Sequence, residues 1–530
     1  MDIKQFSISN SQFSKILIII ILLIAALFRL WQITRLPGGL FPDEAANGLD
    51  IVNYIFQGHH SPFFERGLGR EALFFYLQAV SVALFGIGVW QLHLASALIG
   101  ILTVAATWFL AKNLFNERVA FFTSFFMATS TWHTILSRTG FRAILVPLLA
   151  TLFFYFAYLT FKEDSEKKRG LFAILAGLSL GLGFYTYISF RAMFLIVGLL
   201  FIIIALVHRG IFKKFWREMI IGLVSMLLIM TPLIIYFIKH PDSFVGRAGY
   251  TSIFNPDLNQ GDILGTFLSV LKKTFLMFFT EGDLNWRHNV SGFSMLNPLV
   301  GAIFALGFLY SLLIIFRRFI KIKVSREKSS EDYFKYLFLV VWFLGMLGPE
   351  LMSAQAIPHG LRAIGAMPAV FFFSAITLDF FWQKTVLRFN NKIIFSVILG
   401  IILGMSLIYD GYLYFGVSAH SPDFYYAYRS DLTVASNYLN ERNLKEKTYL
   451  VLDDYSSQTP EFLTAKYNQP YILLNPEKSY EVSPQPGDQI IFTQSTIFDT
   501  IKFEEYHPEA RLIKREFNKF GEEIMRIYEY

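Results

Sequence analysis

Asp43 and Glu44 stand side by side in the stretch Phe41-Pro42-Asp43-Glu44-Ala45. Adjacent carboxylates can do two kinds of chemistry. One of them can take a proton from an attacking hydroxyl held within hydrogen-bond reach. Together they can offer oxygen to a hard cation, although two carboxylates make a thin site for one. The plainer reading is that they open a helix, since acidic side chains favour a first helical turn.

The cations that could answer these acids recur in short polar stretches. Arg70 and Glu71 adjoin in Gly69-Arg70-Glu71. Arg138 and Arg142 lie in Ser137-Arg138-Thr139-Gly140-Phe141-Arg142. Arg191 closes the run from Tyr185 through Tyr187, and His359 and Arg362 lie in Pro358-His359-Gly360-Leu361-Arg362. A further turn, Glu281 to Asn289, gathers Asp283, Asn285, Trp286, Arg287 and His288. Guanidinium groups match phosphate oxygens two at a time. Arg138, Arg142, Arg191 and Arg362, with His359 beside Arg362 as part of a cationic hook, are therefore the candidate phosphate contacts. Arg70, Glu71, Tyr187, Asp283, Asn285, Trp286, Arg287 and His288 are the candidate substrate contacts, the turn having the composition of a sugar or headgroup contact. The plainer readings are interfacial end charges for Arg70 and Glu71 and a solvated, capped loop for 281–289. The chain has no cysteine, which excludes disulfides, thiol catalysis and thiolate metal sites.

Elements that position these residues follow from composition. Of 530 residues, 54% are hydrophobic and 16% are charged, where a soluble chain carries roughly 25% charged residues. Lipid is the simplest solvent for so much apolar surface. Lys15 to Trp31 is a continuous apolar run. Others are 91–111, 118–134, 141–161, 170–186, 192–208, 218–238, 294–316, 335–353, 362–383 and 392–414. A spanning helix needs about 20 mostly apolar residues, and only helices or closed barrels satisfy their backbone groups in lipid. Unbroken rather than alternating runs select helices. No small-residue cleavage site follows the first run, so it reads as a retained helix.

Basic residues cluster in short loops: Lys4 and Lys15; Lys112 and Arg118; Lys162 with Lys167 to Arg169; Arg209 with Lys213, Lys214 and Arg217; Arg317 through Lys323, Arg326 and Lys328; and Lys384, Arg388 and Lys392. Such loops stay cytoplasmic. This also accounts for the net charge of +7 without nucleic acid. The connections 32–70, 135–141, 187–191, 239–293 and 354–361, and everything after 415, then lie outside. For the signs to alternate, 71–88 must be a broken, re-entrant or interfacial helix while 91–111 crosses. The count is about 11 spans, or 13 if helices are split. The N-terminus is then cytoplasmic and the C-terminal region extracytoplasmic. Every candidate site residue falls on the outer side. Arginines there run against the positive-inside trend and call for a local reason. A lipid phosphate at the outer interface is the natural anionic partner, and a carboxylate held at that boundary can have a raised pKa and serve as a general base.

Both long outer loops hold amphipathic runs. After Pro42, Leu49, Val52, Ile55 and Phe56 recur at helical spacing, predicting a helix lying on the membrane surface; Ile263 to Phe279 is similar. After 415 the pattern changes. Phe424 to Asn443 and Pro460 to Tyr467 look helical, and Thr448 to Leu452, Tyr471 to Leu474 and Gln489 to Thr493 look like strands. This alternation predicts a small α/β domain without a glycine-rich phosphate fingerprint. The expected fold is a polytopic α-helical membrane protein, with a transmembrane domain over 1–414 and a soluble α/β domain over 415–530.

The order of these motifs resembles the integral-membrane C-type glycosyltransferases (GT-C), in particular the bacterial group similar to protein O-mannosyltransferases and the lipid A aminoarabinose transferase. The resemblance covers roughly 15–415. Pro42-Asp43-Glu44-Ala45, the start Glu71-Ala72-Leu73-Phe74-Phe75-Tyr76, the run AKNLFNERVAFFTSFFMATSTWHTILSRTGFR, and then YTYISFR, GDLNWRHN and PHGLRAIGAMP carry it. The chain departs at Gln91-Leu92-His93, where many relatives have arginine, and at Ala72, where relatives often have proline. The resemblance implies inverting transfer of a sugar from a polyprenyl phosphate to a protein, lipid or glycan acceptor at the outer face of the cell membrane. Asp43 is then the base, with Glu44 second to it, and the cations named above steady the leaving phosphate. No cofactor is certain, but some relatives use a divalent cation near the acidic motif, so Asp43 and Glu44 are the expected place for one. A transporter of lipid-linked sugars would show inverted repeats and midplane charges. A non-catalytic envelope scaffold would need no acidic motif beside arginines.

Overall fold

The computed structural model describes residues 10–207, 209–325, 333–389, 392–441, 447–467 and 470–530. Lys4, Arg326 and Lys328 of the basic clusters, and Asn443, lie outside them. The chain forms two compact units: residues 1–31, 62–74 and 96–417, and residues 32–61, 75–95 and 418–530. Loop 32–61 and segment 75–95 thus group with the C-terminal region.

The first unit is helical. It contains α1 (Asn10–Leu30), most of α4 (Val89–Leu114), α5 (Glu117–Thr129), α6 (Thr131–Leu136), α7 (Leu145–Lys162), α8 (Glu166–Gly183), α9 (Ala192–Val207) and α10 (Arg209–Lys239). The shorter α11 (Pro241–Thr251), α12 (Pro256–Asn259) and α13 (Ile263–Leu276) follow, and then α14 (Pro298–Ser325), α15 (Phe334–Leu351), α16 (Met367–Phe389) and α17 (Lys392–Gly411). Each of the eleven apolar runs falls largely in helix over its described residues. Among the described residues, eight helices are long and apolar enough to cross a membrane. The run 118–134 is not one helix. It breaks at Ser130 (φ −48°, ψ 127°), whose hydroxyl accepts from the His133 N–H and so starts α6. Helices α8 and α10 approach closely because Gly177 has no side chain: a Cβ there would meet the Gly222 carbonyl oxygen at 2.1 Å, the small-residue contact that membrane helices favour.

Two short strands, β1 (Phe63–Phe64) and β2 (Arg70–Glu71), pair antiparallel, with Phe63 opposite Glu71. Helix α3 (Leu73–Phe85) follows with 13 residues, a length of about 20 Å against an apolar bilayer core of about 30 Å. It is shorter than a span.

The second unit is built on a sheet of β3 (Thr448–Val451), β4 (Ile472–Leu474), β5 (Gln489–Thr493), β6 (Arg511–Phe517) and β7 (Glu523–Glu529), in the order β4-β3-β5-β7-β6. β3 is parallel to β4 and β5, while β7 is antiparallel to β5 and β6. Alternation along each strand divides the core between two faces. Leu450, Leu452, Ile491, Met525 and Ile527 face Leu432, Ala435 and Leu439 of α19 (Ser430–Glu441). Tyr449, Val451, Ile490, Phe492 and Tyr528 cluster with Phe503 of α21 (Thr500–Tyr506). The helix expected from Phe424 is split into α18 (Pro422–Ala427) and α19 at Arg429 (φ +53°). α20 (Gln458–Leu463) connects β3 to β4. The expected helix after Pro42 is present as α2 (Pro42–Asp50), continued by a π-helical turn over Ile51–Ile55. Its core-facing neighbour is α20: a Cβ on Gly48 would lie 2.4 Å from the Phe462 ring, so only glycine allows this packing.

Candidate functional site

In the second unit the acidic pair begins α2, where Pro42 takes the first helical position and both acids fall in the first turn. Their environments then diverge. Asp43 is exposed, and its Oδ1 accepts a hydrogen bond from the Tyr455 hydroxyl at 2.9 Å. Glu44 is fully enclosed, and its Oε2 lies 2.9 Å from Nε2 of an equally enclosed His93. The histidine that replaces the relatives' arginine is thus the partner of the second acid. Its Nδ1 is enclosed and unpaired among the described residues.

The loop ahead of α2 is fastened to the sheet domain. The Leu40 N–H donates to Thr433 Oγ1 at 3.2 Å, and Thr459 Oγ1 donates to the Leu40 carbonyl at 3.0 Å. The Phe41 ring meets that of Tyr455 edge-on, with centroids 6.0 Å apart. Tyr455 itself is held by its turn. Ser456 N–H and Oγ donate to Asp453, and Arg429 donates to Ser456 Oγ and Ser495 Oγ while forking onto Asp431. Burial pushes the Asp453 carboxyl up, but the Ser456 hydrogen bonds and the Arg429 charge bring it below its usual range. Nothing in the sequence marks Tyr455, because its partner lies 412 positions away.

In the first unit the arginines are anchored rather than free. Glu71, 4% exposed, accepts from Arg142 Nε at 3.1 Å and lies 3.8 Å from Arg191 Nη2. Arg142 covers the Tyr187 ring at 5.3 Å. Arg191 covers Phe244 at 4.3 Å and donates to the Phe244 carbonyl. Arg70 donates to the Arg66 carbonyl. Four of the expected contacts, Glu71, Arg142, Tyr187 and Arg191, therefore form one charged cluster. Arg138 departs from expectation. It is fully enclosed, and its Nε, Nη1 and Nη2 donate to the Tyr414 hydroxyl and the Phe28 and Trp31 carbonyls. It caps the end of α1, with no face left for a phosphate.

A second cluster joins the turn 281–289 to the segment around His359. Asp283 Oδ2 accepts from the Gly360 N–H and lies against His288 Nδ1, both at 2.8 Å, while Oδ1 accepts from the Asn285 N–H at 2.9 Å. Asn285 Oδ1 accepts from the Arg287 N–H and Nε, and Arg287 reaches over the Phe141 ring at 5.9 Å. Trp286 is half-buried. Burial raises the Asp283 carboxyl, but the neighbouring His288 and the hydrogen bonds from His288 and the Asn285 N–H outweigh it and leave it below the usual range. His359 lies well below the usual imidazole range because of burial, then His288 and Arg362. It is therefore neutral, and the cationic hook reduces to Arg362. Arg362 donates to the Gln355 carbonyl at 2.5 Å and lies 3.8 Å from Glu350, which also accepts from the His359 N–H. Glu350 was readable as a lone carboxylate at the end of an apolar run.

A divalent cation at the acidic motif does not fit these contacts. Asp43 is engaged by Tyr455 and Glu44 by His93, and no three ligand atoms converge there among the described residues. Asp283, His288 and His359 form the one group of three there whose ligand atoms converge.

Residues 72–236 match the family model described as dolichyl-phosphate-mannose-protein mannosyltransferase. No curated protein matches the chain by sequence. Among solved structures, it resembles ArnT from Cupriavidus metallidurans bound to undecaprenyl phosphate, with TM-score 0.56, 14% identity and 98% of each chain covered. It also resembles the Archaeoglobus fulgidus oligosaccharyltransferase tethered to an acceptor peptide, with TM-score 0.54, 14% identity, and 97% of this chain and 74% of that one covered. The archaeal oligosaccharyltransferase AglB in complex with an inhibitory peptide and a dolichol-phosphate gives 0.52 at 15% identity, over 88% of this chain and 65% of that one. The chain is thus a multi-pass membrane protein with the fold of the integral-membrane C-type glycosyltransferases, and its segment 72–236 carries the sequence pattern of the protein mannosyltransferases.

Proposed function

We propose that the protein transfers a sugar from a polyprenyl-phosphate donor to an acceptor hydroxyl at the outer face of the cell membrane, with inversion at the anomeric carbon. The observation that carries this reading is the bond between Asp43 and a hydroxyl. Asp43 Oδ1 already accepts from an O–H at 2.9 Å and is exposed, which is the geometry a general base needs toward an acceptor alcohol. The acceptor oxygen attacks the anomeric carbon, its proton passes to Asp43, and the bond from that carbon to the lipid-phosphate oxygen breaks. Glu44, closed in against His93, positions α2 rather than meeting substrate. Negative charge grows on the departing phosphate, and fixed guanidinium groups stabilise it most in the transition state. Arg142 and Arg191, prealigned by Glu71, and Arg362, prealigned by Glu350, take that role, with Arg70 and Tyr187 beside them. Solved relatives of the same fold bind undecaprenyl phosphate and dolichol-phosphate, which supports a lipid-phosphate donor.

The test is transfer of labelled sugar from polyprenyl-phosphate hexose by membranes containing the chain or its Asp43→Asn variant. General-base loss costs about 10²- to 10⁴-fold. A variant within a few-fold of the parent would remove Asp43 from the chemistry.

A further inference from the structure

We propose that Asp283, His288 and His359 form a site for a divalent cation of the zinc class, on the helical unit rather than at the acidic motif.

One ring nitrogen from each imidazole and one carboxylate oxygen converge, with every pair within 4.8 Å. His288 Nδ1 is 2.8 Å from Asp283 Oδ2, and His359 Nδ1 is 3.9 Å from the same oxygen. Bonds of about 2.0–2.1 Å in tetrahedral geometry put ligand atoms roughly 3.3 Å apart. The two distances straddle that value by about half an ångström each, and the remaining pair lies within 4.8 Å, so small side-chain movements would bring the three toward one ion.

His359 Nδ1 gives the second observation. It is enclosed, has no hydrogen-bond partner among the described residues, and faces Asp283 beyond hydrogen-bond length. The plainer reading, an Asp–His hydrogen bond with a bystander imidazole, leaves this atom unsatisfied. An ion satisfies it.

The surroundings are those of a built site. Gly360 and Asn285 N–H groups orient the carboxylate without using either imidazole, the kind of outer support that fixes metal ligands. The His288 backbone is held by the Asn285 carbonyl and the His359 backbone by Glu350. The two imidazole rings lie 4.5 Å apart, and Phe141 covers His288. Two nitrogens and one oxygen suit zinc, which takes three protein ligands and an open fourth position. Magnesium and calcium require about six or more oxygens.

The experiment uses the full chain, untagged, in detergent, stripped with chelator and reloaded with zinc chloride before exhaustive dialysis. Metal is counted by mass spectrometry, and melting is followed with and without zinc. The expected result is about one zinc per chain and a zinc-dependent rise in melting temperature, both lost in His359→Gln and Asp283→Asn and both kept in His240→Gln, which alters an imidazole outside the cluster. Cobalt loading gives a readout independent of variant folding. The parent should show the visible absorption of tetrahedral cobalt, and a His359→Gln preparation of unchanged elution volume should not. A reloaded parent with less than about a tenth of an equivalent of zinc, or a His359→Gln variant that keeps full zinc and the cobalt spectrum, overturns the site.

Discussion

The Tyr455 hydroxyl donates to Asp43 Oδ1 at 2.9 Å, tying the acid of α2 to a turn of the sheet domain. Tyr455 is 47% exposed and Asp43 is exposed too, so water competes for this bond. A hydrogen bond of this kind contributes about 0.5–1.5 kcal/mol. It orients the carboxylate while leaving it open to exchange with an incoming alcohol. Tyr455→Phe keeps the ring against Phe41 and removes only the donor. Under the proposed reaction, its sugar-transfer rate should fall roughly five- to tenfold, about 1 kcal/mol in the barrier, with the melting temperature nearly unchanged. Equal initial rates for parent and variant would show that the bond does not orient the base.

Glu44 and His93 are both fully enclosed. Removing one partner of such a buried pair costs about 3–5 kcal/mol, because the other loses the contact that offsets its burial. His93→Ala should therefore melt well below the parent. His93→Gln can still donate to Glu44 and should lose less than half as much. Thermal unfolding in detergent checks the order of the three proteins. An alanine variant as stable as the parent would strip the contact of its structural weight.

Much of this architecture is legible because lipid imposes one rule, a long unbroken apolar run, and each of the eleven runs falls largely in helix over its described residues. Strands β3 and β5 are legible for a related reason: both have strand neighbours on either side, are buried throughout and are mostly apolar. β6 is an edge strand and reads Arg-Leu-Ile-Lys-Arg-Glu-Phe with its side chains mostly exposed, so it has no apolar face to announce it. β7, which pairs with it, escaped notice with it. The break at Ser130 is hidden because a serine costs little within an apolar run until its hydroxyl caps a new helix. Within the site, residue type marked the charged clusters but could not assign partners. Arg138 and Arg142 are four positions apart, yet one caps α1 and the other pairs with Glu71.

The hairpin β6–β7 carries its own acid sensitivity. Arg515 and then Arg526 fork onto the Glu523 carboxylate at 2.7–3.0 Å and hold it at about 2. Its folded pKa lies below the unfolded value of about 4.3. The stabilisation is therefore fully present above that unfolded value and is lost as pH falls toward 2. Glu523→Gln should melt below the parent at pH 6, and the gap between the two should close between about pH 4 and pH 2. A gap independent of pH would mean that the arginines act on this residue by packing alone.

Arg138 and Arg142 should separate in function as they do in structure. Arg138 is fully enclosed, with its guanidinium nitrogens on the Phe28 and Trp31 carbonyls and the Tyr414 hydroxyl. Hydrogen bonds to charged groups contribute about 1.5–3 kcal/mol each and are not additive. Arg138→Ala should therefore lower stability by several kcal/mol, and what remains folded should bind polyprenyl phosphate with the parent's affinity. Arg142 pairs with Glu71 under the proposed donor phosphate. Arg142→Ala should weaken polyprenyl-phosphate binding by about tenfold or more, since a charge-assisted contact of 1.4 kcal/mol or above is lost. Its own stability cost should be smaller, because Glu71 retains Arg191 at 3.8 Å. Lipid-phosphate affinity and melting temperature, measured on the same two preparations, decide the matter. If Arg138→Ala lost affinity while Arg142→Ala kept it, the phosphate would lie at the end of α1 and not at the Glu71 cluster.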